Sequence, residues 1–366
     1  MSAICAGVTF PAIESVRKRE TALTVTIADV ARHAGVSRST VSYVLSGKRS
    51  ISAETIKRVE RSIEELQFRP HAGAQSIRTR RTGVIAMALP LVHGPHNQVQ
   101  MPYVWAALAA AREVGLKLLM LPDDDGETAI RDAVGTALVD GVMVMEVQQR
   151  DQRAGLLRSL KCPAVLVGTP DNPHGLPYVD FDFAACGRLC AEHLLELGHS
   201  HVGFLGQPPE TYRRGVAYAA HARDGAMSAL REQGARATWT ACDPSPGGVV
   251  AALEELLEKD PEMSGLIVYN EWALPLVVDR LASLGHRVPG DVSVIAICPD
   301  DAVERLAHPL TTVSLPVEDL ARISVQRLAG LINGERPPSV TMLAPELKVR
   351  ESTGRRRSPG HHPPRS

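Results

Sequence analysis

Residues 25–45, VTIADVARHAGVSRSTVSYVL, have the pattern of two short helices that meet at a tight turn. Thr26 and Asp29 are spaced as a capping box at the start of the first helix, and apolar residues then recur at helical spacing. Gly35 can supply the left-handed backbone that commonly ends a helix, and Ser37 can accept from the free amides of a second helix. The pattern predicts a helix-turn-helix.

The second of these helices is predicted to have one apolar and one polar face. Its apolar residues Val41, Val44 and Leu45 are expected to point inward, which leaves polar residues outward near its N-terminal end, where a recognition helix contacts base edges. Arginine can bond guanine bidentately, serine can bond either base type, and hydroxyls can bind phosphate. The residues predicted to contact DNA are therefore Thr26, Ser37, Arg38, Ser39, Thr40, Ser42 and Tyr43.

Residues 25–81 resemble the DNA-binding headpiece of the lactose-repressor (LacI/GalR) family. The resemblance rests on the run T-I-x-D-V-A-x-x-A-G-V-S-x-x-T-V-S, on Ser52-Ala53-Glu54-Thr55 and on Leu66-Gln67-Phe68-Arg69-Pro70. Two helices around a glycine turn would alone fit a small helical bundle with a solvated polar face equally well. The resemblance implies a homodimer on a near-palindromic double-stranded operator, because two paired headpieces share a two-fold axis.

The headpiece is predicted to span residues 25–69, with a third helix closing its core, and residues 70–82 form a hinge segment. In the family named above, the matching segment is a helix that folds on the operator and inserts a leucine into the minor groove. Ile77 stands at that leucine's place, so Ala72 and Ile77 are further predicted DNA contacts. The β-branch of isoleucine makes a stubbier wedge, and Gly73 weakens the helix; an unstructured linker is the alternative.

The charge of the chain is segregated. The formal net charge is −1 over 366 residues, yet residues 1–82 carry 14 Lys and Arg against 7 Asp and Glu. This basic excess predicts a salt-dependent attraction to phosphates. We expect residues 1–24, with the basic cluster Arg17-Lys18-Arg19, to be a disordered leader, and residues 352–366 to be a disordered tail.

Beyond residue 82, apolar strands alternate with amphipathic helices, as in doubly wound α/β proteins. Buried parallel strands are predicted at residues 84–89, 117–121, 141–145 and 164–167, and then at 202–205, 266–269 and 292–297. The expected fold is an α/β core of two doubly wound parallel-sheet lobes with an N-terminal all-α helix-turn-helix domain.

Residues 83–351 resemble the periplasmic-binding-protein-like core of the same family, in which the chain crosses between the lobes three times. We place the crossings near 180–182, 309–312 and 334–338. The N-lobe then comprises residues 83–180 and 312–334, and the C-lobe 181–310 and 338–351. Such a core binds a small-molecule effector in the cleft at the carboxyl ends of the strands.

Four candidate effector-binding residues follow predicted C-lobe strands. Asn270 matches an Asn-Asp element of the family and suits sugar hydroxyls, and Trp272 can either stack on a sugar or only pack. Cys298 stands where the family has a sugar-binding aspartate, so a standard hexose is the less expected effector. Asp300, like Asp301 beside it, either reaches the cleft or caps the next helix.

Further candidates come from the segment after Gly206, where the family has an arginine-rich helix start. The alignment of this segment with that helix start has no clear register, so four residues remain as alternative effector contacts. These are Tyr212, Arg213, Arg214 and Arg223. His93 and His96 line the lip of the first lobe only if their loop folds inward.

Catalysis, cofactors and metals are not indicated. There is no GxGxxG after the first strand, no GxxxxGK[ST], no GxSxG and no CxxC pair among the six cysteines, and Cys186 and Cys190 lack partner ligands. No apolar run approaches a membrane span and no export signal is present, so we expect a cytoplasmic protein without a membrane partner.

Three functions remain open. A ligand-controlled transcriptional repressor explains the headpiece, hinge and core together. A DNA-binding regulator whose core only dimerises would explain the missing sugar-binding aspartate, and a solute-binding protein would explain the core alone. The sequence favours a repressor whose effector is a small polar metabolite, sugar or sugar-like.

Overall fold

The computed structural model describes residues 25–46, 51–68, 81–90, 97–122, 127–304, 306 and 308–356. The chain divides into two compact units, Met1–Arg80 and Arg81–Ser366. Several predictions fall outside the described residues, namely the leader 1–24, most of the hinge segment with Ala72 and Ile77, the loop residues His93 and His96, and the end of the tail.

The first unit contains three helices, α1 (Ile27–Ala34), α2 (Arg38–Ser46) and α3 (Ala53–Glu65). Helix α1 begins where the amide and hydroxyl of Thr26 donate to Asp29 Oδ2 over 2.9 and 2.6 Å. It ends at Gly35, whose φ of 64° lies in the left-handed region that suits glycine. Ser37 Oγ accepts from the amide of Thr40 over 3.1 Å, which starts α2. The local signals therefore produce the helix boundaries.

The three helices enclose one small apolar core. Residues of α1 and α2 pack against α3 and the segment that follows it. The buried members are Val30, Ala31, Ala34, Val41, Val59 and Phe68. Because Val41 is fully buried, the opposite side of α2 faces solvent.

The second unit alternates strands and helices. Its strands are β1 (Val84–Leu89), β2 (Lys117–Pro122), β3 (Gly141–Val144), β4 (Ala164–Val167), β5 (Tyr178–Phe181), β6 (His201–Gly206), β7 (Arg236–Ala241), β8 (Gly265–Val268), β9 (Ser293–Cys298), β10 (Thr311–Ser314), β11 (Val340–Leu343) and β12 (Leu347–Lys348). Its helices are α4 (Asn97–Glu113), α5 (Thr128–Gly135), α6 (Gln152–Ser159), α7 (Phe183–Glu196), α8 (Pro209–Arg213), α9 (Ala217–Glu232), α10 (Pro246–Lys259), α11 (Leu274–Ser283), α12 (Asp300–Glu304) and α13 (Val317–Ile332). A 3-10 turn, Glu271–Ala273, precedes α11.

These strands form two six-stranded sheets, one in each lobe. The N-lobe order is β11-β5-β4-β3-β1-β2, with every pair parallel. The C-lobe order is β12-β10-β9-β8-β6-β7, in which only β12 is antiparallel to its neighbour. Parallel strands covered by helices on both faces are apolar along their length, which explains the apolar runs. The predicted fold, an N-terminal helix-turn-helix followed along the chain by two parallel-sheet lobes, is confirmed.

The chain crosses between the lobes three times, but two of the predicted positions were wrong. The first crossing is at Asp182, between β5 and α7. Strand β10 pairs with β9 in the C-lobe, so the second crossing lies at residues 315–316 rather than 309–312. Strand β11 pairs with β5 in the N-lobe, so the third lies at 344–346 rather than 334–338. Apolar patterning identifies a strand but not the sheet that it joins.

The segment 352–356, predicted as part of a disordered tail, packs against the C-lobe. Ser352 is 5% exposed, and its hydroxyl accepts from the amide of Thr311 over 2.7 Å and donates to the carbonyl of Val294 over 2.6 Å. The amide of Arg356 donates to the carbonyl of Leu197 over 2.9 Å. These hydrogen bonds order the segment, although it contains no apolar side chain.

Candidate functional site

The solvent face of α2 carries the residues that the sequence predicted as DNA contacts. Arg38, Ser39 and Tyr43 are exposed, and Ser42 is half-buried beside them. The face lies at the N-terminal end of α2, directly over the buried Val41, so the core holds it in a fixed orientation. Its guanidinium, hydroxyl and phenol groups provide donors and acceptors within about one and a half turns of the helix.

Three further predicted contacts, Thr26, Ser37 and Thr40, have structural partners. The hydroxyl and amide of Thr26 donate to Asp29, and these bonds hold the pKa of that carboxyl below its ordinary value. Ser37 Oγ caps α2 and lies 2.8 Å from the hydroxyl of Thr40. Thr26 and Ser37 remain exposed, so each hydroxyl retains a side open to solvent.

A cavity of about 120 Å³ lies between the two lobes of the core. Its N-lobe wall comes from α4 and from the ends of β3, β4 and β5, and its C-lobe wall from α7, α9 and the ends of β6 and β8. The start of α13 closes it near the second crossing. The side chains that carry polar or aromatic groups are Gln100, Tyr103, Glu146, Asp180, Phe183, Gln207, Tyr218, Tyr269 and Glu271. The cavity thus lies at the carboxyl ends of strands, where ligands bind in open α/β sheets.

Three aromatic rings of the C-lobe form one wall of this cavity. The ring centroid of Phe183 lies 5.6 Å from that of Tyr218 and 5.9 Å from that of Tyr269, and the two tyrosine rings are 6.2 Å apart. Ring pairs at these separations pack favourably. The three rings therefore form one packed aromatic surface along the cavity.

An ion pair connects the lobes at the rim of the cavity. Arg214 Nη1 lies 2.8 Å from Glu146 Oε2, with side-chain exposures of 22% and 10%. The amide of Gln100 also donates to Glu146. Glu146 has a φ of 47°, a left-handed conformation that costs energy in a residue other than glycine. Backbone strain at a pocket residue is typical of functional sites.

Backbone hydrogen bonds reinforce the ion pair. The amide of Gln149 donates to the carbonyl of Gly215 over 2.8 Å, and the amide of Ala217 donates to the carbonyl of Val147 over 2.9 Å. Residues 147–149 and 215–217 thus form a short antiparallel bridge across the cleft. The structure represents a state in which the lobes are closed over the cavity.

Two further carboxyls face the cavity without a basic partner. Asp180 is 4% exposed and accepts from the Thr169 hydroxyl and from the Phe181 amide, each over 2.8 Å. Burial raises its pKa to about 7. Glu271 is 9% exposed, and burial raises its pKa as well, against a hydrogen bond from Gln207. Among the described residues, neither carboxyl has an ion-pair partner.

We predict that Asp180→Asn stabilises the free protein at neutral pH. Because the folded-state pKa is raised from 3.8 to about 7, this carboxyl favours folding at low pH and that contribution is lost as pH rises through this range. The increase in the free energy of unfolding on replacing the carboxyl with an amide should be small at pH 4 and reach up to about 4 kcal/mol at pH 8. Melting temperatures of the wild type and the variant, measured across this pH range, check the prediction. A stabilisation of equal size at every pH would show that the pKa of Asp180 is not raised by folding.

The structure places Asn270, Trp272 and Cys298 differently from their prediction as effector contacts. Asn270 Nδ2 donates to the carbonyl of Cys242 over 3.2 Å, inside the C-lobe. Trp272 packs against the C-lobe core, and Cys298 is fully buried within it. None of the three lines the cavity, since their side chains point to the helix-covered side of the sheet or its end.

The other four predicted effector residues also have partners outside the cavity. Asp300 pairs with Lys348 and lies 3.6 Å from Arg350. Arg213 pairs with Glu210 at the surface. The guanidinium of Arg223 lies 4.6 Å from the ring centroid of Trp239 and 5.3 Å from that of Tyr212. Of the candidates after Gly206, Arg214 contacts the lining residue Glu146, and the Tyr212 hydroxyl accepts from the amide of the lining residue Gln207 over 3.3 Å.

The sequence reasoning missed the residues that do line the cavity, although a signal was present. Glu146, Gln207 and Glu271 each come within three residues after a buried strand, and Asp180 lies in one. A polar residue at the carboxyl end of a parallel strand is placed where such cores bind ligands. The aromatic residues carried no comparable signal, because helix positions such as Tyr103 and Tyr218 are equally compatible with packing.

Among the described residues, no helix is long and apolar enough to cross a membrane. The same part of the chain contains no group of three or more His, Cys, Asp or Glu arranged to hold a metal ion.

Comparison with known proteins identifies relatives for both units. The family described as bacterial regulatory proteins, lacI family, matches residues 26–71, and the periplasmic binding protein-like domain matches residues 191–353. The chain is 29% identical over 341 residues to the HTH-type transcriptional regulator CelR of Thermobifida fusca, covering 89% of this chain and 98% of the relative.

Two solved structures of regulators are also similar to this chain over most of its length. A CelR-cellobiose complex is similar with 26% identity and a TM-score of 0.63, and covers 90% of this chain and 99% of its own. The Lac repressor bound to ONPG in the repressed state is similar with 25% identity and a TM-score of 0.76, with the same coverage.

Proposed function

Since this chain belongs to the lacI family of bacterial regulatory proteins, we propose that it is a transcriptional repressor controlled by a small metabolite. As a homodimer it binds a near-palindromic operator, and a small polar effector binds between the lobes of its core. The observation that carries the DNA-binding part is the exposed polar face of α2 over a packed three-helix core. Arg38, Ser39 and Tyr43 read base edges from this face.

The interlobe cavity supports effector control. It combines an aromatic wall, buried carboxyls and a strained Glu146, and it is lined from both lobes. A core that served only for dimerisation would gain nothing from two buried carboxyls without basic partners, because burying such groups costs free energy. A ligand that pairs with these carboxyls would offset that cost.

Helix α13 provides a physical connection from the cavity to the hinge segment. Val317 and Leu320, in its first turn, line the cavity. At its other end, about 24 Å away by helix geometry, the carbonyl of Ile332 and the side-chain oxygen of Asn333 accept from the guanidinium of Arg81. Arg81 lies near the end of the hinge segment, so a ligand that shifts α13 biases how that segment joins the core.

We predict that Arg38→Ala relaxes base preference at one position in each half-site. A bidentate arginine contact discriminates between bases by about 1–3 kcal/mol. Anisotropy titrations on operators changed one base pair at a time measure this loss. Arg61→Ala, an exposed arginine of α3, is the matched control: any weakening should be uniform across the operators. If Arg38→Ala keeps full discrimination at every position, Arg38 does not read a base.

A further inference from the structure

The charge of the interlobe cavity is unbalanced. Its walls carry the carboxyls of Glu146, Asp180 and Glu271, whereas the guanidinium of Arg214 at its rim is already paired with Glu146. Asp180 and Glu271 are at least nine-tenths buried, and no Lys, Arg or His of the described residues forms an ion pair with them. A positively charged group entering the cavity would therefore meet two uncompensated acceptors.

The aromatic wall favours the same kind of ligand. Phe183, Tyr218 and Tyr269 line the cavity together, and Tyr218 lies within electrostatic reach of both Glu146 and Glu271. Cations are attracted to the faces of such rings, and the attraction increases when water is excluded. A neutral polyol could also donate hydrogen bonds to the carboxylates, but it would gain nothing from the ring quadrupoles and would not neutralise the buried charge.

The volume of the cavity limits the size of its occupant. An engineered protein cavity of about 150 Å³ accommodates benzene. The cavity of about 120 Å³ therefore holds a molecule of similar or slightly smaller bulk while the lobes are closed as observed. A disaccharide exceeds this volume and would have to extend beyond the cavity. A metal ion is not favoured either, because the described residues contain no group of three suitable ligands.

We propose that the effector is a small organic ammonium ion, held against Phe183, Tyr218 and Tyr269 with its charge facing Asp180 and Glu271. The inference rests on the cleft of the proposed function and specifies the chemistry of its ligand. Asp180 and Glu271 are the specificity-determining residues, because their carboxylates attract a positively charged ligand.

Binding of such an ion is linked to pH. Burial raises the pKa of both Asp180 and Glu271, and with a pKa of about 7 part of the Asp180 population is protonated at neutral pH before the ligand arrives. The ammonium ion favours the ionised carboxylates, so binding releases protons and becomes tighter as pH rises toward 8. The titratable groups around the cavity and its carboxyls are Tyr103, Glu146, Asp180, Asp182, Cys186, Tyr212, Arg214, Tyr218, Tyr269, Glu271 and Cys298.

Titration calorimetry of the full-length protein tests the proposal with charged probes and neutral probes of the same shape. Choline is compared with 3,3-dimethylbutan-1-ol, and cyclohexylammonium with cyclohexanol. At least one ammonium ion should bind about tenfold or more tightly than its neutral partner. Its affinity should increase from pH 6 to pH 8, with proton release visible as a dependence of the heat on the buffer.

Two variants assign the binding to the cavity. Glu271→Gln and Asp180→Asn remove buried carboxyls whose raised pKa already opposes the charged form, so both proteins should fold. Each should weaken binding of the ammonium ion by about tenfold or more. Glu262→Gln, a surface carboxyl that is 72% exposed, is the control and should leave binding unchanged.

Two results would overturn the proposal. One is that neither ammonium ion binds more tightly than its neutral partner, and the other is that neither variant weakens the binding. Glucose, ribose and cellobiose are titrated in parallel. If one of these sugars binds and the variants weaken it while the ammonium ions do not bind, the cation proposal fails and the effector-controlled regulator remains supported.

Discussion

Arg214→Gln is expected to lower the free energy of unfolding of the core by about 3 kcal/mol, because it leaves Glu146 as a buried carboxylate without its ion-pair partner. The pair joins the two lobes over 2.8 Å, and Glu146 is only 10% exposed. Its other partner, the neutral amide of Gln100, cannot balance the charge. The variant should also favour the open state of the cleft, since only the closed state forms the pair.

Chemical denaturation followed by far-ultraviolet circular dichroism measures this loss. The neighbouring variant Arg213→Gln is the matched control, because Arg213 is 72% exposed and pairs with Glu210 at the surface, where such pairs contribute below about 1 kcal/mol. Adding Glu146→Gln to Arg214→Gln should restore most of the stability, since no buried charge then remains. Equal effects of Arg213→Gln and Arg214→Gln would show that the interlobe pair does not stabilise the core.

Gly187→Ala is expected to destabilise the C-lobe by about 3 kcal/mol or more. Helices α7 and α9 approach so closely that a Cβ atom at Gly187 would lie 1.9 Å from the carbonyl oxygen of Ala222, and one at Gly225 would lie 2.1 Å from that of Ala184. The obstacle is backbone on both sides, so no rotamer change can relieve it. Tyr218, which lines the cavity, is on α9, so effector binding should weaken as well.

Thermal unfolding of Gly187→Ala is compared with that of Gly247→Ala. Gly247 lies in α10, and a Cβ atom there would have no neighbour within 4 Å. Alanine should therefore stabilise α10 by about 0.5–1 kcal/mol. If both replacements changed the melting temperature in the same direction and by a similar amount, the close contact of α7 and α9 would not be the cause.

The headpiece could be predicted almost completely because its signals are local. The contact of Thr26 with Asp29, the left-handed Gly35 and the cap at Ser37 each involve residues within four positions of each other. The buried stripe of each helix also follows from its own spacing. Once Val41 is assigned to the core, the helical spacing alone predicts that Arg38 faces solvent.

The cavity could be predicted in position but not in its residues. Alternating strands and helices place a cleft at the carboxyl ends of the strands, yet the residues that meet there depend on sheet order and on helix approach. The sequence predicts Asn270 as an effector contact, whereas its neighbours Tyr269 and Glu271 line the cavity, because an extended backbone points successive side chains in different directions. Pairing Glu146 with Arg214, 68 positions apart, requires the closed lobes.

Selection of DNA from a random duplex library by the full-length protein measures directly whether this chain is a sequence-specific regulator. We predict that the selected pool contains a near-palindromic site, because two headpieces related by a two-fold axis read the same bases in opposite directions. Binding to that site should exceed binding to random duplex by at least about 1,000-fold at the same salt concentration. A pool without an enriched inverted repeat, bound only through salt-sensitive phosphate contacts, would contradict the assignment of α2 as a recognition helix.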